Sequence, residues 1–383
     1  MTFNLSRRGL IAGAAVLMPT AAMSSRAWAQ KGLLAPPVSV MTGRTYGPDA
    51  PPVSYPDPDV LILSPEANRL FLGHSNIKRV GTGYVWAEGP AWSNQGQYVV
   101  WSDVTGDVQY RYIWETGEIT PFRRPSYNSN GNTFDMQGRQ ISAQHFLRRV
   151  VRFEHDGTLT VIADSYNGQP LNSPNDIAVH RDGSIWFTDP YYGGQLSEGH
   201  PDEGGGPFNP GNMQNGNIGN GMLGIVGSRK QVLPPSVYRV DPSGRIDRVL
   251  EGRADLVANG IAFSPDYSKA YICWGRDIAV ADVQGEKLGS PRTLTDCMVD
   301  GVKCGPDGHR VDVLGNIWSG STAPVGYAGV TVWNPQGKLI GRVRTPEVVS
   351  NVCFAGPKRD FLFMCGSQSV YLLRLNVQGA AIS

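Results

Sequence analysis

Six side chains that end in a carboxylate or a carboxamide occupy one position of a repeating pattern. In four copies this side chain lies eight residues before a turn glycine, as Glu88 does before Gly96. Two looser copies precede turns at a similar distance. In chain order, the six positions are Glu88, Asn130, Asn175, Asn259, Asp307 and Asn351. All six offer oxygen, so the chemistry they indicate is that of an all-oxygen site.

Hard divalent cations prefer such oxygen ligands, and a mixture of charged and neutral oxygens suits Ca²⁺ best, ahead of Mg²⁺, Mn²⁺ or Zn²⁺. Two buried carboxylates facing each other without a cation would be costly, because one would have to bind a proton. The alternative interpretation is that Asn and Asp before an apolar run are turn or cap residues. Six copies at one register favour a shared site over that alternative.

The elements that position these side chains are short strands in a four-stranded repeat. Each unit contains the oxygen-bearing residue, an apolar run, a turn and a second strand, followed by a hairpin with a polar turn. The spacing is about 45 residues wherever no insertion intervenes, which is typical of a propeller blade. The count of units predicts an all-β, six-bladed β-propeller with four-stranded antiparallel blades. The six side chains would then converge on the central channel.

The ends of the chain are predicted to close this propeller. The run Ser369 to Leu375 supplies a third strand to the last blade and leaves too little chain for a fourth. A strand-like run, residues 76–80, precedes Glu88. Pairing this run with the C-terminal strand would complete the blade and cover the open edges.

The first 29 residues are typical of an export signal. Ser6-Arg7-Arg8 precedes an apolar run, and Ala27-Trp28-Ala29 is a cleavage sequence. The arginine pair predicts the twin-arginine route to the periplasm, with an ordinary secretory signal as the alternative. Removing residues 1–29 deletes three arginines and no acids, which changes the formal net charge from +1 to −2. A net charge this close to zero gives no indication that the protein binds nucleic acid.

The remaining organisation is an N-terminal extension, residues 30–74, followed by the propeller, residues 75–383. A segment rich in Gly, Asn and Pro, about residues 193–235, interrupts the third unit. Because the strand before it returns to the face on which it began, the segment is placed as a lid over the site, or as a loop without a role. No other stretch is long and apolar enough to span a bilayer, so no membrane contact is expected of the mature protein.

The five cysteines contain no C-x-x-C pair, which argues against a structural zinc site. In an oxidising compartment, Cys353 with Cys365 and Cys297 with Cys304 are the short-range disulfide candidates. Buried free thiols are the equally weighted alternative.

Several motifs in order resemble those of the senescence marker protein/gluconolactonase/luciferin-regenerating-enzyme family. They lie between residues 75 and 375, and they are Glu88-Gly89-Pro90-Ala91-Trp92, Leu171-Asn172-Ser173-Pro174-Asn175-Asp176, Phe187-Thr188-Asp189-Pro190-Tyr191-Tyr192-Gly193, Asn259-Gly260-Ile261-Ala262-Phe263-Ser264-Pro265-Asp266 and Pro306-Asp307-Gly308. The resemblance implies a six-bladed propeller that hydrolyses lactones of sugar acids, with exported bacterial gluconolactonases the most similar in layout.

The resemblance also implies site residues. One divalent cation would be bound by Glu88, Asn175, Asn259 and Asp307, with Asp307 as the general base and Glu88 as the second catalytic carboxylate. Two histidines are further candidates, because His309 lies two residues beyond Asp307 and His145 ends a blade-two strand. The predicted substrate contacts are Asn130, His145, His309, Asn351 and Tyr191. For both histidines a structural role is the alternative.

The sequence therefore predicts a metal-dependent lactonase acting on a small-molecule lactone. A metal-dependent esterase or phosphotriesterase is the first alternative, because this scaffold changes substrate through its loops. A non-catalytic propeller that binds a ligand is the second. Neither a G-x-S-x-G elbow nor an H-E-x-x-H helix is present. No pattern indicates an oligomeric state.

Overall fold

Strands of three to eight residues, joined by turns rich in Gly, Asn and Asp, form nearly all of the described protein. The structure is a computed structural model, and it describes residues 44–47, 49–194 and 233–380. The predicted export signal and most of the predicted lid segment lie outside the described residues. No helix in the described ranges is long and apolar enough to cross a membrane.

The strands form six small antiparallel sheets arranged as a six-bladed β-propeller, as predicted. In each blade the strand that carries the oxygen-bearing residue, or directly follows it, is innermost. Blade one contains Ala87–Ser93, Tyr98–Asp103, Val108–Ile113 and Ile119–Arg123. Blade two contains Ser129–Phe134, Gln140–Gln144, Arg149–Phe153 and Leu159–Ala163. Blade three contains Ile177–Val179, Ile185–Asp189, Ser236–Val240 and Ile246–Glu251.

The second half of the chain forms the other three blades. Blade four contains Ala258–Phe263, Lys269–Trp274, Asp277–Gln284 and Arg292–Thr295, with Lys287–Leu288 as a short addition. Blade five contains Gly305–Val311, Ile317–Thr322, Gly329–Trp333 and Leu339–Arg344. Blade six contains Val349–Ala355, Phe361–Gly366 and Ser369–Arg374.

The fourth strand of blade six comes from the other end of the chain. Lys78–Thr82 pairs antiparallel with Ser369–Arg374, from Lys78 opposite Leu372 to Thr82 opposite Ser369. The predicted closure is therefore confirmed, and the outer edge of Ser369–Arg374 is covered by a strand from the other end of the chain.

The N-terminal extension also joins the propeller. Val60–Ile62 pairs with Leu339–Arg344 as a fifth, outermost strand of blade five, and a short 3₁₀ helix, Pro65–Arg69, follows it. Asp59 binds Arg344 at 3.1 Å, and both side chains are 2% exposed. Smaller elements are a 3₁₀ turn at Tyr192–Gly194 and two-residue strand pairs at Ser165–Tyr166 with Gln169–Pro170 and Met298–Val299 with Val302–Lys303.

Apolar side chains fill the spaces between most neighbouring blades. Trp92 and Trp101 pack with Phe363 and Cys365 between blades one and six, and Trp318 packs with Phe354 between blades five and six. Losing a buried aromatic of this size typically costs about 3 to 5 kcal/mol. These interfaces fix the blades around the channel.

All five cysteines are buried free thiols, so neither short-range disulfide is formed. Antiparallel pairing places Cys353 opposite Phe363, and Cys365 opposite Asn351. This register separates the two thiols by two positions along the hairpin.

Candidate metal and substrate site

Most inner strands carry a β-bulge at the oxygen-bearing residue. The pairing shifts between Glu88 and Ala91 in blade one, and equivalent shifts occur in blades two, four, five and six. A bulge adds an unpaired residue and changes the direction in which a side chain points. The oxygen-bearing residue that recurs in the sequence therefore lies at or next to a β-bulge in five of the six blades.

The backbone segments that carry the six positions lie next to one another from blade to blade. A glycine follows the oxygen-bearing residue in four blades, and there the backbone of the next blade approaches closely. A methyl group at Gly89 would lie 2.0 Å from the carbonyl oxygen of Asn130, and one at Gly131 would lie 2.3 Å from that of Asn175. Gly260 meets the carbonyl oxygen of Asp307 in the same way, and Gly308 meets the side chain of Asn351.

The two remaining junctions complete the circle. The Asp176 carboxylate, one residue after Asn175, accepts a hydrogen bond from the backbone N–H of Ile261 in blade four at 3.1 Å. Ser350 in blade six donates from Oγ to the carbonyl oxygen of Ala87 in blade one at 2.6 Å. Residues far apart in sequence therefore form one ring, which we call the oxygen ring.

Within this ring, Asn259 and Asp307 are joined directly. Nδ2 of Asn259 donates to Oδ1 of Asp307 at 2.6 Å, and both residues are partly exposed. Glu88 and Asn175 are each 4% exposed, and they lie on either side of the Asn130 position. The backbone N–H of Gly89 donates to Oε2 of Glu88 at 2.7 Å.

The electrostatics of the ring fit a divalent cation. Burial raises the pKa of Asp307 to about 7, and the nearby Asp176 carboxylate adds to this shift. When ionised, Glu88, Asp176 and Asp307 carry three negative charges around Arg310, which interacts with Asp176 and Glu88. The excess of two negative charges is what a divalent cation would balance.

The donor set also fits, because hard cations take carboxylate and carboxamide oxygens together. No group of three or more His, Cys, Asp or Glu residues suited to a metal occurs among the described residues. A cation in the ring would therefore need the amide oxygens of Asn175 and Asn259 as well as the two carboxylates.

Asn175 is held by a clamp at the start of the insertion. The buried Asp189 carboxylate accepts the backbone N–H groups of Asn172 and Ser173, each at 2.8 Å. Ser173 Oγ donates to the carbonyl oxygen of Pro190 at 2.7 Å. The end of the blade-three hairpin, Asp189 and Pro190, therefore lies next to the residues that precede Asn175. The insertion begins there, on the face that carries the oxygen ring.

His309 packs against the backbone of the ring, where a methyl group at Gly260 would lie 2.8 Å from its Nδ1. It is fully buried, and its Nε2 lies 3.0 Å from the carbonyl oxygen of Tyr271 and its Nδ1 3.5 Å from Sγ of Cys273. Burial lowers its pKa to about 4. The bulge between Pro306 and His309 breaks the strand alternation that the two-residue spacing from Asp307 assumes. This placement favours the structural alternative.

The other predicted substrate contacts are buried or, in the case of Tyr191, already hydrogen-bonded within the protein. Asn130 and His145 have no exposed surface, and Asn351 is 2% exposed. His145 lies against Ser173 and Gly193 beside the clamp, as shown by the 3.0 Å that would separate a methyl group at Gly193 from its Cβ. Tyr191 Oη donates to the carbonyl oxygen of Leu233 at 3.0 Å and so joins the two ends of the insertion.

Two buried residues that the sequence analysis did not select link blades three and five. Asp176 and Arg310 form a two-contact ion pair, with Nη1 to Oδ2 at 3.1 Å and Nη2 to Oδ1 at 3.3 Å. The signal for Asp176 was present in the repeat. Four blades have glycine after the oxygen-bearing residue, and blade three has an aspartate there. No comparable pattern marked Arg310.

Comparison with known proteins gives a consistent result. The sequence matches the profile described as the SMP-30/Gluconolactonase/LRE-like region over residues 86–368. A gluconolactonase from Zymomonas mobilis is 26% identical over 403 aligned positions, which cover 99% of each chain.

Solved structures extend the similarity to three dimensions. A gluconolactonase from Xanthomonas campestris is 29% identical, with a TM-score of 0.69 over 86% of this chain and 99% of its own. Regucalcin from Agrobacterium tumefaciens, described as a calcium-binding protein, is 18% identical, with a TM-score of 0.59 over 79% of this chain and 94% of its own. At that identity the likeness shows the fold alone.

Proposed function

Because the chain belongs to the SMP-30/gluconolactonase/LRE-like family, we propose that it is a divalent-metal-dependent hydrolase that opens a sugar-acid lactone. The observation that carries the proposal is the oxygen ring, in which the backbone segments that bear two carboxylates and four carboxamides lie next to one another from blade to blade, with Asn259 and Asp307 in direct side-chain contact. The similarity to gluconolactonases along the full chain supports lactone hydrolysis as the reaction class.

Glu88, Asn175, Asn259 and Asp307 are the residues that would hold the cation. When bound there, a divalent cation supplies Lewis-acid polarisation of the lactone carbonyl and acidifies a nearby water. Ca²⁺ is the proposed ion, because the ring offers neutral amide oxygens together with charged ones.

Asp307 is the proposed base. Asn259 donates to its Oδ1, which leaves Oδ2 to orient the attacking water and accept its proton. The water oxygen adds to the lactone carbonyl carbon, the ring C–O bond breaks, and the proton passes to the leaving alkoxide to give the hydroxy acid. Glu88, which lies two blades from Asp307 with Asn351 between them, contributes the second negative charge of the cation site.

Metal removal tests this proposal. Hydrolysis of glucono-1,5-lactone, followed as acid release at constant pH, should stop after treatment with a chelator and return when Ca²⁺ is added. A metal-loaded protein that is inactive on a panel of lactones and aryl esters would favour a ligand-binding propeller. Preference for aryl esters would instead support the esterase alternative.

Substitution in the ring gives a second test. Glu88→Gln and Asp307→Asn keep the shape of each side chain and remove its charge, so kcat/KM should fall about 10²- to 10⁴-fold. Asp255→Asn is the matched control, because Asp255 is exposed and paired only with the exposed Arg253. Near-normal activity in both ring variants would remove the assigned roles.

Export is a separate proposal that rests on residues 1–29 alone. We propose that the protein reaches the periplasm by the twin-arginine route, since the arginine pair precedes the apolar run and the cleavage sequence. Replacing Arg7 and Arg8 by lysine should keep the protein in the cytoplasmic fraction. Continued export of that variant would indicate an ordinary signal.

A further inference from the structure

We infer that Asp176 and Arg310 are positioning residues, whose ion pair forms a brace across the channel and fixes the spacing of the cation ligands Asn175 and Asp307. This inference rests on the proposed function, because it assigns the pair a task in the same site. The pair is formed between blades three and five, 134 positions apart in sequence.

The brace is more connected than an isolated ion pair. Besides its two contacts with Arg310, the Asp176 carboxylate accepts the backbone N–H groups of Ile177 at 3.0 Å and Ile261 at 3.1 Å. Arg310 Nη1 also donates to the carbonyl oxygen of His309 at 2.8 Å. The pair therefore ties together the inner strands of blades three, four and five, which carry three of the four proposed cation ligands.

The sequence positions of the pair make this connection short. Asp176 directly follows Asn175, and Arg310 lies three residues after Asp307 on the same inner strand. The ion pair therefore couples the backbone segments that carry these two ligands. In blade three the brace occupies the position at which four other blades have glycine, so a carboxylate replaces a simple backbone approach.

Arg310 also forms part of the wall of an apolar cavity. This cavity is lined by Phe134, Ile177, Val179, Ile261, Phe263 and Val311. Arg310 is 6% exposed and Asp176 is not exposed at all. Two buried charges depend on each other's geometry, and a bidentate guanidinium contact holds that geometry in a plane.

Cation affinity is the readout that separates positioning from simple stabilisation. Calorimetric titration of metal-free protein with Ca²⁺ should show that Asp176→Asn weakens binding about 10- to 100-fold, the range typical of groups that orient metal ligands. Arg310→Lys keeps the charge and loses the planar two-point contact, so its loss should be smaller. If Asp176→Asn fails to fold, the Ca²⁺ affinity of Arg310→Lys still tests the inference.

Asp59→Asn is the matched control. The Asp59–Arg344 pair is as deeply buried as the brace, but it joins the N-terminal extension to blade five. This variant should lower the unfolding midpoint and leave Ca²⁺ affinity unchanged. If Asp176→Asn is destabilised but binds Ca²⁺ like wild type, the brace is only structural and the inference is overturned.

A double variant distinguishes position from charge. Asp176→Asn combined with Arg310→Met removes one charge of each sign, so the net charge around the ring is unchanged. Positioning predicts that binding stays weak in the double variant and that kcat falls more than KM rises. Recovery of wild-type affinity would show that the pair acts through its charge alone. If wild-type protein binds neither Ca²⁺ nor Mg²⁺ nor Mn²⁺, the proposed function fails instead.

Discussion

Two buried polar clusters support the oxygen ring, and they are built from different chemistry. Between blades one and two the cluster consists of amides and hydroxyls, with Asn132 at its centre. Asn132 Nδ2 donates to the carbonyl oxygen of Gly89 at 2.9 Å and to Ser102 Oγ at 3.0 Å, and its Oδ1 accepts from Gln109 Nε2 at 2.9 Å. Among the described residues, the one charged group of this cluster is Arg123, whose Nη1 donates to Oε1 of Gln109 at 3.0 Å and to Oε1 of Gln140 at 2.6 Å. Across blades three to five, the corresponding support is the charged brace of Asp176 and Arg310.

This difference in chemistry predicts how well each side of the ring tolerates the substitution of one supporting residue. A neutral network distributes its hydrogen bonds over many weak partners, so the loss of one leaves others in place. In a buried ion pair, loss of one partner leaves the other charged and without compensation. The side of the ring with three proposed cation ligands is thus the side with the less tolerant support.

The largest effect is expected at the charged support. Arg310→Met leaves the buried Asp176 carboxylate without its cation, which should lower the free energy of unfolding by about 3 to 5 kcal/mol. Urea unfolding of metal-free protein measures this loss. Adding Asp176→Asn to Arg310→Met should restore part of the stability, since the uncompensated charge is removed. A double variant no more stable than Arg310→Met would contradict this account of the charged cluster.

The expected sensitivity to pH is also greater on the charged side. Burial raises the pKa of Asp189 to about 7 in the folded protein, against about 3.9 when unfolded. The folded state therefore holds this proton more tightly, and the stability it contributes is complete at low pH and lost as pH rises through about 7. Relative to Asp189→Asn, the wild type should lose about 2 to 3 kcal/mol between pH 5 and pH 8.

Chelated protein should be used for this measurement, by urea unfolding at each pH. Asp307 has a similarly raised pKa, but it is present in both proteins and cancels from their difference. A wild type and an Asp189→Asn variant with parallel pH profiles would show that Asp189 is ionised throughout, held by its two backbone amides and by nearby Arg148.

The two clusters also show what the sequence could predict. The repeat of Glu88 and its five counterparts predicted six blades and a ring, because apolar periodicity and turn residues are local signals. Closure by Lys78–Thr82 followed from counting strands. Asn132 and Gln109 carry no such signal, because their partners come from strands far apart in sequence.

Other features escaped prediction because they depend on register and not on composition. The bulge between Pro306 and His309 shifts every later side chain by one position, which the two-residue spacing argument did not include, and the predicted substrate contact of His309 stays a prediction. The outer strand Val60–Ile62 pairs with residues about 280 positions away, and three residues are too few for a periodic pattern. Arg310 was missed because the sequence around it contains no pattern that indicates an ion pair with Asp176 in blade three.

The smallest effect is expected at the neutral support. Asn132→Ala removes an acceptor from Gln109 and Gln140 and a donor from the carbonyl oxygen of Gly89, so the free energy of unfolding should fall by about 2 kcal/mol. Ser142→Ala is the comparison variant, for which a smaller loss of unfolding free energy is expected. Ser142 Oγ accepts from Gln109 Nε2 at 2.9 Å, and that amide keeps its contacts with Ser129 and Asn132, so the loss should be about 1 kcal/mol.

Ca²⁺ titration of these two variants decides whether the two supports really differ. Both should bind Ca²⁺ more tightly than Asp176→Asn does, because the neutral cluster contacts the backbone after Glu88 but bridges none of the other proposed cation ligands. Weaker binding by Asn132→Ala than by Asp176→Asn would reverse the comparison. The placement of Glu88 by the Gly89 carbonyl contact would then limit cation affinity more than the brace does.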